Sequence, residues 1–279
     1  MLRFASMIAD APLEIYSSAL VLAPERSIVR QVFVGQIPQA TTMLTSGDVS
    51  WGPCLSALEG HSGPVTAVAF SPDGQLVASA SKDTTLRVWE TTTCMRRSEL
   101  SGHLAEVNSV VFSPDGQLVA SASNDATVRV WGTATGTCCS ELVGHSDWVR
   151  AVVFSPDGQL VTSASNDATV RVWEAATGTC RTVLEDQPSR ITHLAFLPGI
   201  HALHTNSGDV SLPPDINLAL PVKLEEHASY LLIKDEWMLR NTQRFLWLPF
   251  EYRAHYTAVC KGVVCLGCPS GRVVLLKLR

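Results

Sequence analysis

The chain has 279 residues, of which 46% are hydrophobic and 17% charged, and its formal net charge of −5 corresponds to a pI near 5.9. This balance argues against a general role in phosphate or nucleic-acid binding, because such affinity rests largely on cationic contacts. No run of 18 or more uninterrupted apolar residues offers a membrane span. We therefore expect neither nucleic-acid binding nor membrane insertion.

One pattern can be recognised in the N-terminal segment, residues 1–50. The sequence ALVLAPERSIV at Ala19–Val29 can be laid over AVAFSPDGQLV at Ala67–Val77 with the proline in register. Each stretch predicts a strand, a turn and a second strand. The segment is therefore expected to contain a degenerate copy of the unit that dominates the next part of the chain.

Residues 51–180 contain three near-identical units at a spacing of 42 residues, each with a Trp placed 29 residues after the Gly of a Gly-His pair. In the first unit, strands are predicted at Thr66–Phe70, Leu76–Ser81 and Thr85–Trp89, separated by a Ser-Pro-Asp-Gly turn and a tight turn at Lys82-Asp83. A period of about 40–45 residues with these marks is typical of a four-stranded propeller blade.

The C-terminal part, residues 181–279, predicts degenerate blades and a closing hairpin. Cys180–Leu203 continues the period, although Glu185-Asp186 replaces Gly-His and the closing Trp is absent. The hairpin is predicted at Gly262–Leu278, with its turn at Pro269-Ser270-Gly271. At 42 residues per blade the chain corresponds to roughly 6.6 blades, within the range of known propellers. We expect the hairpin to close the ring.

The Gly-His pairs, the Ser-Pro-Asp-Gly turns, the tight-turn Asp and the Arg-Val-Trp ends resemble the WD-repeat family. In that family the Trp is usually followed by Asp, whereas this chain has Glu90, Gly132 and Glu174. The resemblance implies an all-β fold: a WD-repeat β-propeller with three regular blades of 42 residues plus degenerate flanking blades. It also implies a non-enzymatic scaffold that binds other proteins.

The flanks resemble a narrower group, the C-terminal part of fungal NACHT/WD-repeat proteins of the heterokaryon-incompatibility type. The motifs that carry this resemblance are Ala11-Pro12-Leu13, Ser27-Ile28-Val29-Arg30, Trp51, Cys54-Leu55, Trp247-Leu248-Pro249 and Glu251-Tyr252-Arg253. The NTPase module of that group is not expected here, because no G-x-x-x-x-G-K-[ST] motif occurs in the sequence. The resemblance implies a sensor part of an incompatibility or immune receptor.

Each unit also supplies a His, a Ser and an Asp, which could form a nucleophile, base and orienting acid. Together with the Trp, the same residues look like the structural hydrogen-bond tetrad of WD repeats, and three copies are expected of a brace rather than of an active site. We therefore predict no catalytic residues. The predicted tetrads are His61, Ser79, Asp83 and Trp89; His103, Ser121, Asp125 and Trp131; and His145, Ser163, Asp167 and Trp173.

The cysteines and histidines near the C-terminus raise the possibility of a zinc site. His255, Cys260, Cys265 and Cys268 include one C-x-x-C motif. However, Cys265 and Cys268 would then lie on a strand and in its turn, with no second pair at the usual spacing. We predict no metal and no cofactor, reduced thiols and a cytoplasmic location.

The most informative differences among the three units lie in the loop after Gly-His and in the tight turn. In a WD-repeat blade these loops lie on one rim, and Trp148 is the residue type that most often anchors an interface. The predicted protein-binding rim comprises Pro64, Thr66, Lys82, Glu106, Asn108, Asn124, Asp147, Trp148, Arg150 and Asn166.

We therefore expect a recognition or scaffold propeller with other proteins as partners and no small-molecule substrate. One alternative is an adaptor in a multiprotein assembly such as that of mitochondrial division. An alternative of another class is a hydrolase or metal protein that uses the His, Ser and Asp groups or the cysteines.

Overall fold

The computed structural model describes residues 41–43, 58–187, 191–197, 202–213, 216, 231–234, 237–240, 243–247, 256–261 and 263–278. These residues form 22 strands connected by turns, and none of them is helical. Accordingly, the described ranges contain no helix that could cross a membrane. The predicted all-β fold class is confirmed.

The first strand, β1, covers Thr41–Met43, and three regular four-stranded antiparallel sheets follow it. The first sheet consists of β2 (Val65–Phe70), β3 (Leu76–Ser81), β4 (Leu86–Glu90) and β5 (Arg96–Leu100). The second consists of β6 (Val107–Phe112), β7 (Leu118–Ser123), β8 (Thr127–Gly132) and β9 (Cys138–Val143). The third consists of β10 (Val149–Phe154), β11 (Leu160–Ser165), β12 (Val170–Glu174) and β13 (Cys180–Leu184). Each strand pairs with the next along the chain, as in propeller blades.

The Ser-Pro-Asp-Gly turns have a chemical cause that is visible in the first blade. The Ser71 hydroxyl donates to Asp73 Oδ1 at 2.6 Å and accepts the backbone N–H of Leu76 at 2.9 Å. Gly74 has a φ of 74°, a conformation that glycine adopts without a Cβ clash. The turn thus fixes how β2 leads into β3.

Three further sheets complete the described part of the chain. Their strands are β14 (Leu194–Phe196), β15 (Ala202–Thr205) and β16 (Gly208–Ser211); β17 (Leu231–Lys234), β18 (Trp237–Arg240) and β19 (Gln243–Trp247); and β20 (Tyr256–Cys260), β21 (Val263–Gly267) and β22 (Val273–Leu278). The β21–β22 hairpin lies where the sequence analysis placed it. The predicted degenerate copy at Ala19–Val29 lies outside the described residues.

Residues from both ends of the chain share one sheet. β1 pairs with β22, with Thr41 opposite Leu278 and Met43 opposite Leu276, so the order of the sheet is β1-β22-β21-β20. Leu58 forms a further bridge to Val273. This four-stranded sheet therefore forms only when Thr41–Met43 meets the C-terminal hairpin.

The core lies between neighbouring sheets. Leu58, Leu100 and Leu142 recur at the 42-residue spacing, and all are fully buried. Leu100 and Leu142 lie at or near the ends of outer strands β5 and β9. Leu58 packs with Cys265 and Val273, so the hairpin shares a core with the first regular blade. Complete burial of such a side chain contributes about 1.5–3 kcal/mol, which explains why Leu is kept at these positions while the adjoining loops vary.

Candidate protein-interaction surface

Four side chains form one hydrogen-bonded chain in each regular blade. In the first blade His61 Nδ1 lies 2.9 Å from Asp83 Oδ2, and His61 Nε2 lies 2.8 Å from Ser79 Oγ. The Trp89 indole N–H donates to the same Ser79 oxygen at 2.8 Å. The same three distances, His–Asp, His–Ser and Trp–Ser, recur in the other two blades. In the second blade, with His103, Ser121, Asp125 and Trp131, they are 2.8, 2.8 and 2.9 Å. In the third, with His145, Ser163, Asp167 and Trp173, each is 2.8 Å.

The partners fix the direction of these hydrogen bonds. A carboxylate only accepts, so the imidazole donates from Nδ1 to Asp and accepts at Nε2 from the Ser hydroxyl, which in turn accepts from the indole. Burial lowers the pKa of His61 and of His145, although the neighbouring carboxylates act in the opposite direction. These two imidazoles are therefore neutral at pH 7, as the proposed directions require.

The aspartates stay ionised. Burial alone would raise the pKa of Asp83, but the hydrogen bonds that it accepts from Thr85 and from His61 outweigh burial and lower its pKa to about 2. The same balance lowers the pKa of Asp167 to about 2. In Asp125, burial is likewise outweighed, by hydrogen bonds from His103 and Thr127, and the pKa is lowered.

Each Asp also joins the loop after Gly-His to the tight turn. Asp83 accepts the backbone N–H of Ser62 at 2.9 Å and the Thr85 hydroxyl at 2.7 Å. Between Asp83 and Thr85 lies Thr84, a non-glycine residue with a φ of 71°. Such a backbone conformation costs energy and persists only where the surroundings fix it. The sequence analysis did not identify the turn threonines, which are Thr85, Thr127 and Thr169.

The catalytic alternative places the nucleophile on Ser79, Ser121 or Ser163. All three are fully buried, and each hydroxyl oxygen already accepts from an indole N–H. A nucleophile has to reach a substrate atom, and here the hydroxyl lies beneath the loop that the Asp holds. The geometry suits a brace within the blade.

Three of the predicted rim residues, Thr66, Asn108 and Arg150, occupy the second position of an inner strand. At each of them the pairing register shifts, so each is the extra residue of a β-bulge. A bulge turns a side chain out of the regular alternation. Thr66 donates its hydroxyl to Val107 O, and the Asn108 amide donates to Val149 O at 2.8 Å. These bonds run from one blade to the next.

This geometry corrects the prediction for Thr66. The residue is only 6% exposed, and its hydroxyl is used by the contact between the first and second blades. A short side chain at a bulge reaches the neighbouring backbone and remains beneath the surface. Thr66 therefore does not offer its side chain to a partner.

A polar chain crosses the surface from the first blade to the third. Lys82 Nζ lies 3.4 Å from Glu106 Oε2, and the Asn124 amide donates to the same Glu106 oxygen at 3.4 Å. Asn108 donates to Asn124 Oδ1 at 2.7 Å. The tight turn of the first blade and the loop of the second are thus in contact. Some of the polar atoms of these residues are therefore already paired within the protein.

Trp148 is 46% exposed on the loop of the third blade. The Arg150 guanidinium lies over its ring at 4.7 Å from the centroid and donates from Nε to Asn166 Oδ1 at 3.2 Å. A guanidinium over the face of an indole is attractive, by about 0.5–1 kcal/mol at an exposed site. The ring is therefore held in a defined orientation by contacts within the chain. Asp147 is exposed beside it and binds the Trp148 N–H at 2.7 Å.

Leu104 is a second exposed apolar residue on this surface. It follows His103, is 87% exposed and is fixed by its backbone N–H, which donates to Asp125 Oδ2 at 3.0 Å. Pro64, in the loop of the first blade, is exposed as well. The rim prediction omitted Leu104, although the signal was present: the other two units carry Ser62 and Ser146 at this position.

The cysteines considered for zinc are placed differently from a metal centre. Cys265 lies in β21, Cys268 follows it, and both are buried. Burial raises the pKa of the Cys265 thiol well above its usual range and that of Cys268 to about 11, which favours the protonated thiols over metal-binding thiolates. His255 lies outside the described residues. In the ranges that the structure describes, no three His, Cys, Asp or Glu side chains form a ready metal site.

The family described as WD domain, G-beta repeat matches residues 52–90, 93–132 and 136–174. These matches span the first three strands of each regular blade, and the second and third also begin on the outer strand or turn of the preceding blade. The chain therefore carries three WD40 repeats, and proteins with such repeats are generally protein-interaction scaffolds.

Individual relatives match shorter parts of the chain. Vegetative incompatibility protein HET-E-1 of Podospora anserina is 42% identical over 92 residues, which are 33% of this chain and 7% of that protein. Serine-threonine kinase receptor-associated protein of Gallus gallus is 53% identical over 45 residues, 16% of this chain and 13% of that protein. The chain thus spans a small fraction of the length of these relatives. The crystal structure of the computationally designed Ika4 protein is 31% identical with a TM-score of 0.50, covering 56% of this chain and 96% of that one.

The first prediction concerns the brace. Asp125→Ala leaves the buried His103 without its acceptor and should lower the free energy of unfolding by about 1–3 kcal/mol. The control is Asp209→Ala, which removes a carboxylate that also binds a histidine, His204, but on the exposed surface. This change should cost less than about 0.5 kcal/mol. Denaturant unfolding measures both values, and equal stability of wild type and Asp125→Ala would refute the brace.

The second prediction is a stability loss on acidification in two stages. The pKa of His61 and His145 is lowered by folding, so the unfolded state takes up protons first, and stability should fall as the pH drops below about 6.5. The folded-state pKa of about 2 for Asp83 and Asp167 should cause a second loss as the pH falls from about 4 toward 2. Urea unfolding over a pH series measures both. A midpoint that rises between neutral pH and pH of about 5 would contradict this account.

Proposed function

We propose that this chain is a non-enzymatic recognition propeller that binds another protein through the loops of its three regular blades. The observation that carries the proposal is the exposed Trp148 ring, held by Arg150 on a loop whose residues differ among otherwise near-identical repeats. A Trp at a protein surface is among the residues that contribute most to binding when a partner covers it.

Two properties of the surface support a protein as the partner. Leu104 and Trp148 present apolar area on loops whose backbone is fixed by hydrogen bonds, so little conformational freedom is lost on binding. Around them Glu106, Asn108 and Asn124 form a polar surrounding with satisfied hydrogen bonds. Apolar anchors within a polar rim are the usual composition of a protein interface.

The finer assignment follows the flanking motifs. We infer a sensor role in a fungal NACHT-type incompatibility or immune receptor, supported by the similarity to HET-E-1 over 92 residues. A cytoplasmic setting belongs to the same proposal. The alternative of an adaptor in an assembly such as that of mitochondrial division uses the same surface. The division into residues 1–50, 51–180 and 181–279, with the last part closing the ring, also stays a prediction.

The third prediction tests the surface by exchanging residues between blades. Asp147→Ala, Trp148→Glu and Arg150→Asn copy the second blade, where Ala105, Glu106 and Asn108 occupy these positions. The scaffold accepts Asn at the equivalent position of the second blade, where Asn108 donates to Asn124 of its own blade and to Val149 O of the next blade. The free energy of unfolding should therefore change by less than about 1 kcal/mol.

Partner binding should respond differently from stability. A partner identified by crosslinking to the wild-type chain and then purified should bind the triple variant at least about 30-fold more weakly, since loss of a central Trp costs 2 kcal/mol or more. The control is Val143→Ala, which truncates an exposed apolar side chain on outer strand β9. Unchanged affinity of the triple variant would show that recognition occurs elsewhere.

A further inference from the structure

The sheet β14–β16 has one apolar and one polar face. Leu194 and Leu203 point into the core shared with the third blade. The opposite face carries His204 and Asp209, which are directly opposite each other on β15 and β16 and have side chains 53% and 57% exposed. In the third blade the corresponding face, with Ala164 and Val172, is buried. The polar face therefore distinguishes this sheet from the third blade.

A second histidine lies beside this pair. The His193 and His204 ring centroids are 6.3 Å apart, with an angle of 74° between the ring planes. The backbone of His193 is held in place, because the Asn206 side-chain oxygen accepts the N–H groups of both Thr192 and His193 at 2.9 and 3.3 Å. Two imidazoles and one carboxylate thus meet on one exposed surface.

The bond between His204 and Asp209 determines which nitrogen of His204 is available. His204 Nδ1 lies 2.7 Å from Asp209 Oδ1, so it donates its proton there and leaves the Nε2 lone pair directed away from the carboxylate. A carboxylate that holds one nitrogen of a histidine while the other binds a metal is a common outer-shell arrangement.

We propose that His193 and His204 bind one divalent transition-metal ion of the Zn²⁺ type, with Asp209 orienting His204. Imidazole nitrogens suit Zn²⁺, Cu²⁺ and Ni²⁺, whereas Ca²⁺ and Mg²⁺ require oxygen ligands. With Zn–N bonds of about 2.0–2.1 Å and a tetrahedral angle, two ring centroids stand roughly 5 Å apart. The rings therefore need to approach by about 1 Å, which rotation of exposed side chains permits.

The site supplies two nitrogens of the four positions of a tetrahedral ion. Since no ready group of three ligands exists among the described residues, water occupies the remaining positions and the affinity is modest. The open positions distinguish this surface from a closed structural zinc site. The site lies on the fourth sheet, on residues separate from the loops that we propose for protein binding, so it does not depend on that proposal.

The test titrates ZnCl₂ into the full chain near neutral pH by calorimetry. The wild type should show a binding step that His193→Gln and His204→Gln each weaken at least about 10-fold, because half of the protein ligands are lost. Asp209→Asn should weaken it by about 10-fold through the orientation of His204. Circular dichroism of each variant should match that of the wild type.

Two matched controls separate this step from other zinc binding. Cys139→Ser removes an exposed thiol on β9, and Glu185→Gln removes an exposed carboxylate outside the cluster. Both variants should keep the step that His204→Gln loses. Absence of zinc binding by the wild type, or isotherms of the two histidine variants that equal the wild-type isotherm, would overturn the proposal.

Discussion

The structure of each regular blade depends on one buried carboxylate. Asp125 accepts hydrogen bonds from His103, from the Leu104 backbone and from Thr127. It thereby joins the loop that enters the blade, the tight turn between two strands and the Trp-bearing core. A buried charge is tolerated only when it is well hydrogen-bonded, and these bonds also keep its pKa low. The conformation of the loop is consequently fixed by its hydrogen bond to the buried Asp125 carboxylate.

A loop that is fixed from beneath can vary its outward side chains without loss of fold. The three units use this freedom in two ways. At the bulge, Thr66 and Asn108 reach across to the next blade and contribute to cohesion. One blade further, Arg150 contacts Trp148 and Asn166. A single sequence position therefore serves blade contact in one repeat and presentation of an exposed aromatic ring in another.

The sequence was sufficient to predict features that repeat. The 42-residue period predicts the three regular sheets, and its invariant His, Ser, Asp and Trp are the residues that lie within hydrogen-bond distance of one another. Positions that vary were harder to interpret, because variation does not reveal the direction of a side chain. The bulge buries Thr66, whereas the loop exposes Leu104, and neither follows from residue type.

Pairing between distant segments was also beyond prediction. β1 completes the last sheet through three residue pairs with β22, and no periodic pattern marks Thr41–Met43 as its partner. Register between distant strands depends on the packing of both faces, which a short strand specifies weakly. The polar face of β14–β16 could not be predicted from the sequence either, since it arises where the repeat has lost its regular apolar alternation.

Amide hydrogen exchange tests the central claim most directly, because the claim is that one carboxylate holds an otherwise exposed loop. The Leu104 side chain is 87% exposed, yet its N–H donates to Asp125. We predict that this amide exchanges at least about 10-fold more slowly than an unstructured amide, and that Asp125→Ala, which removes the acceptor oxygens, abolishes the protection at Leu104 while Ser62 and Ser146 keep theirs. Exchange of the Leu104 amide at the unstructured rate in the wild-type protein would contradict the account.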